Sequence, residues 1–431
     1  MYEEMTEERN RKPTFLFIKR NMEVGGIEVY MDRLVKWLKE RGYRIIFLKL
    51  CGTVICDDFK ADFLDGYVTV REIDIHCRRW HEGLEGIFHA DEEIIAYAFD
   101  LYQYAMLEKI KVYYHLCHMN TFYWIPHFEE VFPEKKIPRI LGKAAKGYIG
   151  RTIQTMDRNR NIIYVNESHM KAFERRYGYK SIYGKEMLVK SLRSVPPAFD
   201  EEKARGRSLR KPFCILSVGR FVFPHKAYLL GLIDSFCSLK SEEPDLKLII
   251  IGYGRDEAIV RKKISEIPKA IRMDIELVGE VAPSGLEAYF DQASVHVGVA
   301  GAIMDSAYSG LVSIPVRHYC YQCEGYGYFV DMAQRERLVS DMPGKPIETF
   351  LKELIHMDAD AYVDLCRQTQ ISYTNNEDYR DFGIREMNQR NVNSRQHLAK
   401  GFIAAAQLRY IIAGIWHRAG YKMKNGWRKE K

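Results

Sequence analysis

Residues 213–240 read FCILSVGRFVFPHKAYLLGLIDSFCSLK. An unbroken apolar run, Phe213 to Val218, ends at Gly219 and gives way to a basic loop carrying Arg220 and Lys226. Leu229, Leu230, Ile233, Phe236 and Cys237 then recur at helical spacing. A short run that is apolar throughout, rather than alternating, is what a strand covered on both faces requires. Strand, loop and amphipathic helix in that order predict a parallel sheet with crossover helices.

Downstream, LKLIIIG, IELVG, SVHVGV and LVSIPV read as further strands of the same sheet. Upstream, the same grammar begins at TFLFIK, passes through a glycine turn, and continues into IEVYMDRLVKWLKERG. There Ile27, Tyr30, Met31, Leu34, Val35 and Leu38 form the apolar stripe and Gly42 marks the helix end. RIIFLKL, KVYYHL and NIIYV are expected to be later strands of this first series. The stretch SVPPAFDEEKARGRSLRKP, rich in charge and proline, reads as the linker between the two series.

The expected class is therefore α/β with two Rossmann-like lobes facing across a cleft, residues 1–198 and 211–394. Residues 395–431 would form a C-terminal helix and basic tail that pack back on the first lobe. From about residue 333 the pattern turns helical and polar. Asp358-Ala-Asp360 there matches an Asp-x-Asp metal signature in form, but its place before a helical run assigns it to capping.

Composition narrows the function. Hydrophobic residues make up 47% and charged residues 29%, and no run reaches the roughly 20 apolar residues of a membrane span. The N-terminal MYEEMTEERNRKP places acids before any apolar segment, unlike an export signal, so a cytoplasmic protein is expected. Nine scattered cysteines then imply reduced thiols, and the close pair Cys320 and Cys323 has no second pair at metal-ligand spacing. The net charge of +7 is not gathered into a stripe within the lobes, which argues against nucleic acid. The tail HRAGYKMKNGWRKEK follows an apolar helical stretch, and two readings stand: contact with an anionic membrane face, or a packed helix with a solvated basic end.

In such sheets ligands bind beyond the carboxyl ends of strands, where loops enter helices. Four turns qualify. Gly25 and Gly26 precede the first long helix and allow close approach of an anion. Gly219 with Arg220 and Lys226 suits a diphosphate whose charge must be neutralised on departure. Gly252-Tyr253-Gly254 marks a tight turn after an apolar strand. The fourth turn, VAGAIMDSAYSG over residues 299–310, places small residues at a helix start and one acid, Asp305, in what reads as its first turn. The amides of Ala300, Gly301 and Ala302 would face a phosphate there.

Taken in order, these segments resemble glycosyltransferase family 4 and its GT-B relatives, over roughly residues 14–320. The resemblance implies a first lobe that holds an acceptor glycan or lipid-linked saccharide. It implies a second lobe that holds a nucleotide-diphosphate sugar, with uridine or guanosine as the nucleoside and with neither cofactor nor metal. Gly219, Tyr253, Gly254 and Val281 would line the donor. Asp305, five before Gly310, aligns with the family's second glutamate, which accepts from the donor ribose. Its first glutamate would fall at Val297. The small-residue form of this turn is similar to that of capsule and surface-polysaccharide branches. The resemblance also implies retention of anomeric configuration and a histidine facing the reacting sugar, assigned to His118 after the expected strand KVYYHL. A neutral imidazole could stabilise a developing cation there. The rival readings are a nucleotide-sugar epimerase or hydrolase of the same fold, and a silent nucleotide-sugar binder.

Overall fold

The computed structural model describes residues 12–19, 22–50, 54–73, 79–89, 91–125, 150–159, 161–164, 167–181, 196–332 and 343–374. The expected C-terminal helix and tail, residues 395–431, lie outside the described residues. The described residues fall into two compact units, one up to Tyr164 with residues 169–181, the other residues 196–374 with residues 167–168.

The first unit contains a six-stranded sheet: β1 (Thr14–Lys19), β2 (Ile45–Leu50), β3 (Thr69–Ile73), β4 (Ile94–Ala98), β5 (Met119–Ile125) and β6 (Ile162–Tyr164). Its order is β3-β2-β1-β4-β5-β6 and every pairing is parallel. This is the doubly wound arrangement with a reversal of winding between β1 and β4. Helix α1 (Gly26–Glu40) buries Met31, Leu34, Val35 and Leu38 from the expected stripe.

KVYYHL is not a strand. Residues Leu101–Tyr113 form a helix, capped by the Asp100 carboxylate, which accepts from Gln103 N at 2.7 Å. Val112 and Tyr113 belong to its exposed last turn, and His115 turns the chain at φ 53°. Strand propensity of a β-branched residue and two tyrosines was overridden by a capped helix whose Tyr104, Leu107 and Ile110 are buried.

The second unit contains β7 (Phe213–Val218), β8 (Leu246–Ile251), β9 (Ile275–Gly279), β10 (Val295–Gly298) and β11 (Ser313–Pro315). The order is β11-β10-β7-β8-β9, again all parallel, so winding reverses between β7 and β10. The segment expected as a linker holds helix α2 (Glu201–Ser208), capped by Asp200. Its Arg207 is 2% exposed and donates to Gly310 O at 3.0 Å. A buried guanidinium so held makes α2 part of the second unit. Helices α3 (Tyr228–Glu242) and α4 (Gly301–Tyr308) follow β7 and β10, and α5 (Ala359–Thr374) packs against α2 and α4. Asp358 Oδ1 accepts from Asp360 N at 2.8 Å, the capping role expected of it.

Candidate functional site

The turns after β7 and β10 flank the winding reversal of the second sheet, the place where open α/β sheets take their ligands. The two turns are far apart in the sequence, and the topology puts them side by side. The strands pair parallel, His296 opposite Leu216, and each continues into one turn.

Gly219 N donates to Ile251 O at 2.9 Å, extending β7 by one residue. A side-chain carbon added at Gly219 would lie 2.7 Å from Lys226 Nζ, so the ammonium rests against the bare glycine backbone. Lys226 is partly buried, and among the described residues no carboxylate pairs with it. Loss of hydration first, and the neighbouring Arg220 charge second, bring its ammonium down from 10.5 to about 8. A lysine drawn inward, partly desolvated and without a counter-charge is arranged to receive an anion.

Gly252 and Gly254 serve the pairing of two loops. Phe221 N donates to Tyr253 O at 2.8 Å and Asp256 N to Phe221 O at 3.1 Å. A carbon added at Gly252 would sit 1.9 Å from Gly219 O, and one at Gly254 would sit 2.5 Å from Phe221 O. These glycines therefore hold the loop bearing Gly219 and Arg220 in place, with Tyr253 between them. Val281, in the turn after β9, packs with Ala302 against one apolar cluster.

After β10 the chain turns at Ala300, whose φ of 56° and ψ of −131° are strained for a residue with a side chain. Helix α4 starts directly after this turn, and the first turn of any helix has no intrahelical acceptors for its amides. At Gly301 an added carbon would meet nothing within 4 Å, so there is open space beside the first residue of the helix. At the other end of α4, Gly310 takes the left-handed conformation with φ 64°, and Arg207 donates to the carbonyls left over. A buried cation at the C-terminus and an open N-terminus leave the positive pole of the helix for a ligand. Asp305 lies in the second turn of α4, not the first, because the helix begins at Gly301.

Val297 is fully buried in the core, paired with Ile314. A glutamate there would point into the apolar interior, so Val297 is a packing residue of β10 and not a site residue that lost its acid.

His296, which sequence reasoning passed over, ties these parts together. Its Nδ1 and Ser306 Oγ share a hydrogen bond of 2.7 Å, and Ser306 Oγ lies 2.7 Å from Ser313 Oγ. Its Nε2 is buried with no hydrogen-bond partner among the described residues and sits beneath Gly298. Burial, then the charge of Lys226, lower its imidazolium from 6.5 to about 3, so the ring is neutral. The serines stand ten and seventeen positions downstream, too far for any local motif to announce them.

Gly25 and Gly26 sit at the carboxyl edge of the first sheet, where Gly25 caps α1 and Val29 N donates to Gly25 O at 2.9 Å. Beside them Lys19 and Glu28 form a buried ion pair at 2.8 Å. His118 does not join them. It immediately precedes β5, and its carbonyl accepts from Ile94 N at 3.2 Å at the start of β4. That is the amino edge of the sheet, opposite the ligand edge, so the strand that was to present His118 to a sugar does not exist.

No family model matches the chain, and no curated protein does. Solved structures do match in shape. The α,α-trehalose-phosphate synthase (UDP-forming) of Burkholderia vietnamiensis superposes with a TM-score of 0.58 at 12% identity, over 90% of this chain and 99% of that one. WaaG, a glycosyltransferase involved in lipopolysaccharide biosynthesis, gives 0.52 at 11% identity, over 88% and 100%. TarM of S. aureus, solved with UDP and α-GlcNAc-glycerol, gives 0.51 at 9%, over 92% and 99%. The chain thus has the two-lobed Rossmann-like GT-B fold of these glycosyltransferases.

Proposed function

We propose that the protein is a glycosyltransferase that moves a hexose from a nucleotide-diphosphate sugar, of uridine or guanosine, to a glycan or lipid-linked saccharide in surface-polysaccharide synthesis. The observation that carries this reading is the inward Lys226 ammonium at the same sheet edge as the open start of α4. In the reaction the anomeric C–O bond to the diphosphate breaks and the leaving oxygen keeps the electron pair. The acceptor hydroxyl oxygen bonds to the anomeric carbon and its proton is released. Charge grows on the diphosphate, and Arg220, Lys226 and the amides of Gly301 and Ala302 stabilise it with no need of a metal. In this reading Asp305 accepts from the ribose and Val281 and Gly254 line the nucleoside, while Gly25 and Gly26 of the first unit keep the donor-binding role that the family resemblance implies. Retention of configuration follows from the family resemblance. Among the described residues no helix is long and apolar enough to cross a membrane. Contact with the inner membrane face would rest on the basic tail.

A thermal-shift screen against uridine, guanosine, adenosine and thymidine diphosphates tests the reading. One of them should stabilise the fold by about 2.7 kcal/mol at a hundredfold excess over Kd. Its sugar conjugate should then label a saccharide acceptor. Failure of all four to bind would refute the reading. Arg220→Ala should lower turnover roughly a hundredfold.

A further inference from the structure

Beside the diphosphate position stands a stack of three rings from two loops. The imidazoles of His225 and His318 lie with centroids 5.2 Å apart and planes 12° from parallel. The ring of Tyr319 lies 5.0 Å from that of His225. His225 immediately precedes Lys226 in the loop after β7, and His318 and Tyr319 belong to the loop after β11. Those two strands flank β10, whose following turn starts α4.

Two attachments make the stack rigid. Tyr319 N donates to His225 O at 3.2 Å, and the following residues press on α3 at Gly231, where an added carbon would meet Tyr321 O and Cys323 N at 2.5 Å each. Tyr319 is held at φ 55°, a conformation unfavourable for a bulky residue, and yet the residue is 42% exposed. Strain retained to keep an aromatic ring in solvent at a ligand edge is the kind of outlier that marks a binding surface.

Direction along the sheet then decides the occupant. With the diphosphate at the β7/β10 reversal and the nucleoside toward β8 and β9, where Tyr253, Gly254 and Val281 lie, the sugar must extend toward β11. We propose that Tyr319, His225 and His318 form the platform that receives the donor's sugar ring and selects which sugar is transferred. This rests on the glycosyl-transfer reading above. The negative face of the tyrosine ring accommodates the C–H face of a pyranose, and imidazole nitrogens alongside can exchange hydrogen bonds with its hydroxyls.

Calorimetry separates the platform from the rest of the site. The probes are uridine and guanosine diphosphate and the glucose, galactose, N-acetylglucosamine and mannose conjugates of whichever binds. The platform predicts that at least one conjugate binds differently from the bare diphosphate. Tyr319→Ala should weaken that conjugate about tenfold, the size of one aromatic contact, while the bare diphosphate keeps its Kd. Tyr319→Phe should restore the conjugate, and His318→Gln should change the ranking among sugars. Equal weakening of diphosphate and conjugate, or no weakening of any conjugate, would overturn the platform and leave glycosyl transfer standing. If the unaltered protein bound neither diphosphate, the glycosyl-transfer reading itself would fall and the platform with it.

Discussion

Lys226 offers the sharpest test, because its environment sets both a magnitude and a pH. Its ammonium is brought down from 10.5 to about 8, chiefly by burial and then by Arg220. A bound diphosphate favours the charged lysine, so binding takes up a proton wherever the free protein has lost it. The sign follows: affinity is full below about pH 8 and falls above it, by up to about tenfold per pH unit. Lys226→Met removes the charge with little change in length. One charge-assisted hydrogen bond is worth roughly 1.5–3 kcal/mol, so Kd should rise by about ten- to a hundredfold at pH 7. In that variant the loss of affinity between pH 7.5 and 9.5 should disappear, since the group that loses its proton there has been removed. Titration calorimetry of the diphosphate across this range checks both effects. An unaltered pH profile in Lys226→Met would refute the role given to the lysine, whatever the change in Kd.

Gly219→Ala places a carbon 2.7 Å from Lys226 Nζ, and because that end is flexible, the variant should melt near the unaltered temperature while losing diphosphate affinity. Gly252→Ala meets the Gly219 carbonyl at 1.9 Å with φ at 156°, so it should cost on the order of 2–3 kcal/mol in denaturant unfolding. His296 stays neutral in the folded chain down to about pH 3 but takes a proton near 6.5 when unfolded, so stability is lost as pH falls through that window. By pH 5 this amounts to about 2 kcal/mol relative to pH 7, and the difference should vanish in His296→Gln when both proteins are unfolded in urea at the two pH values.

The second lobe was legible because its strands are short, mainly apolar runs. FCILSV, LKLIIIG, IELVG and SVHVGV each read as a strand of a parallel sheet, and glycines sat where strands meet loops. The first lobe was read less well at its centre. β4 and the helix after it were missed, although Asp100 with Gln103 three residues later is a capping pair that announces a helix through Tyr113. With KVYYHL as a strand His118 would fall at the carboxyl edge of the sheet, whereas the helix in its place puts His118 at the amino edge. Helix α2 was hidden for a related reason: charge and proline suggested a linker, although acids in its first turn and arginines in its last suit a helix dipole, and Arg207 is buried against the end of α4. His296 and the ring stack depend on residues brought together from separate loops, which no spacing rule reports.

The central claim is most directly measured by a crystal structure with the diphosphate that gives the largest thermal shift. The β-phosphate should lie within hydrogen-bond distance of Lys226 Nζ and of the amides of Gly301 and Ala302, with the nucleoside toward Val281. A diphosphate bound elsewhere, with Lys226 and the start of α4 untouched, would contradict the account.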